Sequence, residues 1–278
     1  MSVTFRMLFR QLLGGAAIIG TLAVSGCASV QTTQSGTVGV ERTQYMSSMV
    51  PEKELEQEAG QQYSDLIQKA KAQGALDRNA SQVSRVRTIS QRLIAQVGAF
   101  RPDAANWDWE VHVLSSDEVN AWCMPGGKMA VYTGLLTQIK PTDAELAAVM
   151  GHEIAHALRE HARERMSQQM VTNVGLSVLS IATGVSTDLG SKLTDVMFTL
   201  PNSRTHESEA DMMGVELAAR AGYDPRAAVT LWQKMGTASS GAPPEFLSTH
   251  PSAETRISEL QAASERVMPL YDQAKGKK

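Results

Sequence analysis

The chain has 278 residues, with 26 basic and 29 acidic side chains and a formal net charge of −3. That length buries a real core in one good-sized domain or two small ones, and a balanced charge with no basic block argues against nucleic acid or a polybasic membrane contact. Aromatic residues are sparse at 5% while Ala, Leu, Val and Met are plentiful, which favours helix over an all-β sandwich.

The N-terminus reads as a targeting segment. Arg6 and Arg10 precede a short apolar run, Leu12 to Val24, broken by Gly14, Gly15 and Gly20 and too short for a comfortable bilayer span. It ends in Val24-Ser25-Gly26-Cys27, which resembles the bacterial lipobox. Residues 1–26 are therefore expected to be a lipoprotein signal peptide and Cys27 the lipidated residue, with an ordinary signal peptide as the rival reading. Ala28, where Asp would retain a protein at the inner membrane, points to the outer membrane, with the folded body facing the periplasm. Cys123 then has no disulfide partner and reads as a packing residue. Residues 27–50, rich in Gln, Thr, Ser and Gly, read as a flexible tether to a domain over 51–270.

Two amphipathic helices are predicted near 52–72 and 79–98, the second from Val83, Val86, Ile89, Leu93, Ile94 and Val97 at helical spacing. Trp107, Trp109, Val111 and Val113 alternate with polar residues, the period of a half-buried strand, and a second strand follows the Pro125-Gly126-Gly127 turn at 128–133. A helix over 142–166 opens with a Thr142/Glu145 capping box after Pro141. The apolar stretch 171–200 is broken by Gly175, Gly184 and Gly190 and reads as helical pieces. A helix over 203–221 ends at Gly222, Asp224-Pro225 starts another, Gly241 to Pro244 is a loop, and Ser252 caps a last helix over 253–268. The fold class is α+β, mostly helical, with one small sheet.

Within the 142–166 helix, His152-Glu153-Ile154-Ala155-His156 places two imidazoles four residues apart on one face. This spacing lets both rings meet one Zn²⁺ at about 2.0–2.1 Å. Glu153, one position round, can reach a water at the metal and act as general base. Leu146, Val149, Met150 and Ile154 surround the motif with apolar groups. A catalytic zinc needs a third protein ligand. His161, nine residues past His152, lies half a rotation away and faces the wrong side, and His112 sits on the polar face of a strand. The segment from His206 to Asp211 is the densest remaining donor set. Glu207 as ligand with Asp211 orienting a histidine is one division of roles, and His206 or Glu209 as ligand is the other. Small Ala210 and Gly214 beside them allow close approach to the zinc helix.

These two motifs, His152–His156 and Ser203–Asp211, resemble those of the gluzincin metallopeptidases that include HtpX, BepA, LoiP, the mitochondrial Oma-type proteases and the CaaX prenyl proteases. The resemblance runs over roughly 80–262 and is nearest the soluble, lipid-anchored bacterial members. It implies a zincin-like domain, one zinc ion per chain, Glu207 as the third ligand, and Asp211 as the residue that orients a ligand. It implies that Asn120, Ala121 and Trp122 belong to an edge strand lining the active-site cleft, where substrate backbone pairs by β-addition. His250-Pro251, with Arg256 following, resembles a C-terminal motif in which His250 is either an extra, self-inhibiting ligand or a catalytic donor to the oxyanion. The implied activity is endopeptidase cleavage of misfolded or unassembled envelope proteins, with outer-membrane assembly machinery as a partner. A chaperone-like assembly factor with a structural or restrained zinc site is the rival. Cys123, Met124 and Lys128 depart from the family pattern and are expected to tune the substrate groove.

Overall fold

The computed structural model describes residues 27–177, 189–238, 245–251 and 255–276. The expected signal peptide, the loop at 241–244 and the cap at Ser252 lie outside these residues. Among the described residues no helix is long and apolar enough to cross a membrane.

Two short strands, β1 (Ala28–Val30) and β2 (Gln44–Met46), pair antiparallel. Helices α1 (Glu52–Ala72) and α2 (Ala80–Ile94) follow. The second is capped by Asn79, whose side chain accepts from the Ser81 and Gln82 amides. It stops before the predicted end, and Val97–Ala99 tightens into a 3₁₀ turn. The central sheet holds β3 (Glu110–Leu114), β4 (Ala121–Met124) and β5 (Lys128–Tyr132) in the order β3-β5-β4, with β3 parallel and β4 antiparallel to β5. Trp107 and Trp109 fall before β3, correcting the predicted start of that strand. Their rings stack at 5.5 Å, and the Trp109 indole donates to the Ala104 carbonyl at 2.8 Å, so alternation there reflects a packed turn. Gly126 and Gly127 turn the chain at φ +77° and +84°, and a β-carbon on Gly127 would sit 2.7 Å from the Trp109 ring.

The sheet is covered on both faces, and alternate side chains enter different clusters. Ala121, Cys123, Met129 and Val131 join the main core with α2 and α3. Trp122, Met124 and Ala130 face a second cluster built with α1, α4 and α5. Helix α3 (Asp143–Leu158) lies in the main core, every side chain from Glu145 to Leu158 buried. Its capping box forms as predicted, Thr142 accepting from the Glu145 amide at 3.2 Å and Glu145 from the Thr142 amide at 2.7 Å. Such a cap stabilises a helix start by about 1 kcal/mol.

The helix predicted over 142–166 is two helices. Glu160 adopts φ +52°, and α4 (His161–Ser177) begins directly after it. No glycine or proline marks the break. Ion pairs from Arg101 and Arg163, at 2.7 and 2.8 Å, hold Glu160 in that conformation. Next come α5 (Leu189–Phe198), α6 (Arg204–Arg220), α7 (Ala227–Ala238), α8 (Glu245–Thr249) and α9 (Arg256–Gly276). The last helix extends past the predicted 268 and accommodates Pro269.

Residues 28–50, expected to be a flexible tether, are folded onto the body. Val38, Val40, Met46 and Val50 are buried, and the Val38 amide donates to Glu216 at 2.9 Å. Val38 and Val40 enter the main core and Val50 the second cluster, a property of the partner surface that local composition does not report.

Candidate metal centre

Helices α3 and α6 cross with almost no side chain between them. A β-carbon on Gly214 would lie 2.6 Å from the His152 backbone nitrogen, and one on Gly151 2.8 Å from the Gly214 carbonyl oxygen. This glycine-to-glycine crossing sets the acidic start of α6 against the histidine face of α3. Ser203 caps α6 by accepting from the His206 amide at 3.2 Å, so Glu207 and Asp211 project one turn apart toward α3.

One ligand atom from each of His152, His156, Glu207 and His250 falls within 4.8 Å of the others, all four residues buried. His152 Nε2 and His156 Nε2 are 3.0 Å apart, and Glu207 lies 3.3 Å from His156 Nε2 and 3.6 Å from His152 Nε2. Asp211 accepts from His152 Nδ1 at 2.9 Å. A carboxylate on Nδ1 places the ring proton there and turns the Nε2 lone pair toward the cluster. Burial drives His152, His156 and His250 well below the ordinary histidine range, so the rings are neutral. Burial, reinforced by the Glu207 charge, drives Glu153 well above the ordinary carboxylate range. Glu153 Oε1 and Glu207 Oε1 are buried without a hydrogen-bond partner.

Ring nitrogens and a carboxylate oxygen converging on one buried point fit a cation. Three imidazoles and one carboxylate in four-fold arrangement are a zinc donor set.

Arg256 supports the acidic side. It donates to Glu207 at 3.1 Å and Asp211 at 2.7 Å and stacks on Trp232 at 3.3 Å. Burial still lifts Asp211 to about 6, against the lowering by Arg256.

The structure separates the rival ligands. His206 pairs with Glu164 at 3.2 Å and Glu209 with Arg159, Arg42 and His161, away from the convergence point. His112 bonds Asp77 at 2.7 Å, away from the cluster. His161 is corrected: the break at Glu160 returns its Nδ1 to 2.8 Å from His156 Nδ1. Sequence reasoning missed this contact because it assumed one continuous helix. The role of Arg256 has no signal in local sequence and comes only from its tertiary contacts.

A cleft over the cluster is lined by Asn120, Ala121, Trp122 and Cys123 of the edge strand region, with Glu153 and His250 opposite. Of the three departures from the family pattern, Cys123 lines this cleft. Met124 is buried in the second core cluster, and Lys128 is held by Asp108 and Glu110 at 2.7 Å each. Neither is among the residues that line the cleft, so of the three only Cys123 can shape it directly.

Residues 80–264, more than half of the chain, match the family described as Peptidase family M48. The chain is similar to the mitochondrial metalloendopeptidase OMA1 of Arabidopsis thaliana, 40% identical over 167 residues covering 59% of this chain and 33% of that protein. To the Schizosaccharomyces pombe OMA1 it is 35% identical over 178 residues, 63% of this chain and 51% of that one. To the Beta-barrel assembly-enhancing protease of Escherichia coli K12 it is 25% identical over 201 residues, 68% and 40% of the two chains. The chain thus spans about a third to a half of the length of these relatives. With the matched span enclosing both the His152–His156 helix and the Glu207 helix, the chain belongs to peptidase family M48, a family of zinc metallopeptidases.

Proposed function

We propose that this protein is a zinc-dependent endopeptidase in which His152, His156 and Glu207 hold the metal and Glu153 moves the proton. The observation that carries this reading is the convergence of His152, His156, Glu207 and His250 on one buried point under a cleft, with an unpartnered Glu153 oxygen 3.5 Å from His250. Zinc, when bound, supplies a Lewis acid that polarises the peptide carbonyl and acidifies water. Asp211 fixes the tautomer and orientation of His152. Glu153 takes a proton from the attacking water at Oε1 and returns it to the leaving amine. Among the described residues β4 stands at the edge of its sheet, and this edge at Ala121 and Trp122, with Asn120 just before it, supports pairing with an extended substrate backbone. Exposed backbone is what such an edge selects, so the substrates are unfolded or unassembled proteins.

The lipobox-like Cys27 and the similarity to the Escherichia coli protease support a place in the bacterial envelope, anchored by lipid to the outer membrane. Mass spectrometry showing an unmodified N-terminus beyond residue 27 would remove that anchor.

A second reading has its own observation. His250 Nε2 lies 3.5 Å from Glu153 Oε1 and within the ligand cluster, held by a 3.0 Å contact to Thr249 and by stacking on Phe246 at 4.3 Å. Four protein groups close a zinc site, whereas a catalytic site keeps one position open. The described state is then a restrained one, compatible with an assembly-factor role. Cleavage of an unfolded protein by the zinc-loaded chain, lost on chelation and restored by Zn²⁺, tests the first reading. His250→Ala is expected to raise that cleavage several-fold while zinc stays bound. A fall in kcat at full zinc content would assign His250 to catalysis instead, and no cleavage by either protein favours the assembly factor.

A further inference from the structure

The two histidine ligands are supported differently. His152 Nδ1 meets a carboxylate directly, while His156 Nδ1 meets a second imidazole, that of His161, at 2.8 Å. His161 Nε2 in turn lies 3.0 Å from Glu209 Oε2, and its ring stacks on His206 at 4.3 Å and 14°. One proton arrangement satisfies this chain. For His156 to offer Nε2 to a metal its proton must sit on Nδ1, so His161 Nδ1 accepts and His161 Nε2–H donates to Glu209.

Glu209 is itself clamped. Buried Arg159 donates to it at 3.2 Å, and Arg42 donates from Nε at 2.7 Å and Nη2 at 3.1 Å. The same Arg42 guanidinium grips Glu164 at 2.7 and 2.8 Å. Arg42 comes from the N-terminal arm, as do Thr33, which accepts from Arg159 at 3.2 Å, and Gln44, which donates to the Arg159 carbonyl at 2.6 Å and to Glu164 at 2.9 Å. An unbroken line of hydrogen bonds therefore runs from the arm that follows Cys27 to a metal ligand.

We propose that His161 and Glu209 position the zinc ligand His156, and that Arg42 locks this pair so that docking of the N-terminal arm sets how tightly zinc is held. The proposal rests on the zinc-ligand reading above. These are positioning residues; none of them lies in the ligand cluster.

The test measures zinc affinity of the full chain by competition with a chelator, beside the thermal stability of the zinc-free protein. His161→Phe keeps a ring on His206 but removes the acceptor, and a weakening of about 10–100-fold is expected. His161→Gln, whose carbonyl accepts and whose amide donates, should recover most of it, which a purely packing role would not predict. Arg42→Gln should weaken zinc by about threefold or more and add little on top of His161→Phe, because the line is already cut. Wild-type affinity in His161→Phe, or no advantage of Gln over Phe, overturns the proposal. Should His161→Phe fail to fold, Arg42→Gln decides, and unchanged affinity there overturns it. Zinc binding by the wild type with unaffected variants defeats this inference alone, whereas no binding by the wild type defeats the metal reading itself.

Discussion

Glu153→Gln is expected to leave zinc bound and to lower kcat on an unfolded protein by about 10²–10⁴-fold, the usual contribution of a positioned general base. Glutamine has nearly the same shape, and Glu153 is only 3% exposed, so packing on α3 is conserved. Its side chain projects one position round from the histidine face, and its Oε1 has no hydrogen-bond partner to hold it for a structural purpose. Burial and the nearby Glu207 charge push its pKa well up, the tuning expected of a group that must both accept and release a proton. Kinetics and metal content measured on one preparation check this. Undiminished cleavage at full zinc content would sink the general-base role, and loss of zinc with activity would reassign Glu153 to the metal.

Arg256→Met is expected to destabilise the zinc-free protein by about 3–5 kcal/mol, the range found when one partner of a buried charge pair is removed. Methionine can cover part of the Trp232 surface, but it leaves Glu207 and Asp211 buried without their shared cation. The pH dependence has a definite sign. Asp211 already titrates near 6 when folded, above its ordinary range, so its ionisation opposes folding as pH rises. Without Arg256 that folded pKa rises further. The stability deficit should be smallest near pH 4 and grow through pH 6 and above. Bound zinc offsets part of it by mass action and by its charge. Thermal unfolding of both proteins across pH, with and without zinc, gives the answer. A deficit that does not change with pH would mean that Arg256 acts through packing on Trp232 instead.

How much was legible follows from how local each feature is. The capping box, the helix periods of α1 and α2 and the turn before β5 are interactions within a few residues, and each stands where the pattern placed it, apart from the last turn of α2. His152 and His156 share one helix face by spacing alone, with Glu153 one position round from it. From spacing, the proposed third ligand was legible only as a small set, from which the family resemblance picked Glu207, because Glu207, His206 and Glu209 all sit on one helical stretch whose rotation relative to α3 is a tertiary quantity. That rotation is set by the contact of Gly151 with Gly214.

By itself the sequence determined the two-histidine clamp with its glutamate, the helix that carries it and the acidic helix that completes it. Tertiary structure decided the rest. It bent the chain at Glu160 with no local breaker, because ion pairs from distant Arg101 and neighbouring Arg163 repay a left-handed residue, and so returned His161 to the site. It also drew Arg256 and the N-terminal arm onto buried carboxylates. Charges buried in a core must find partners wherever the chain can supply them, and sequence separation does not limit that search.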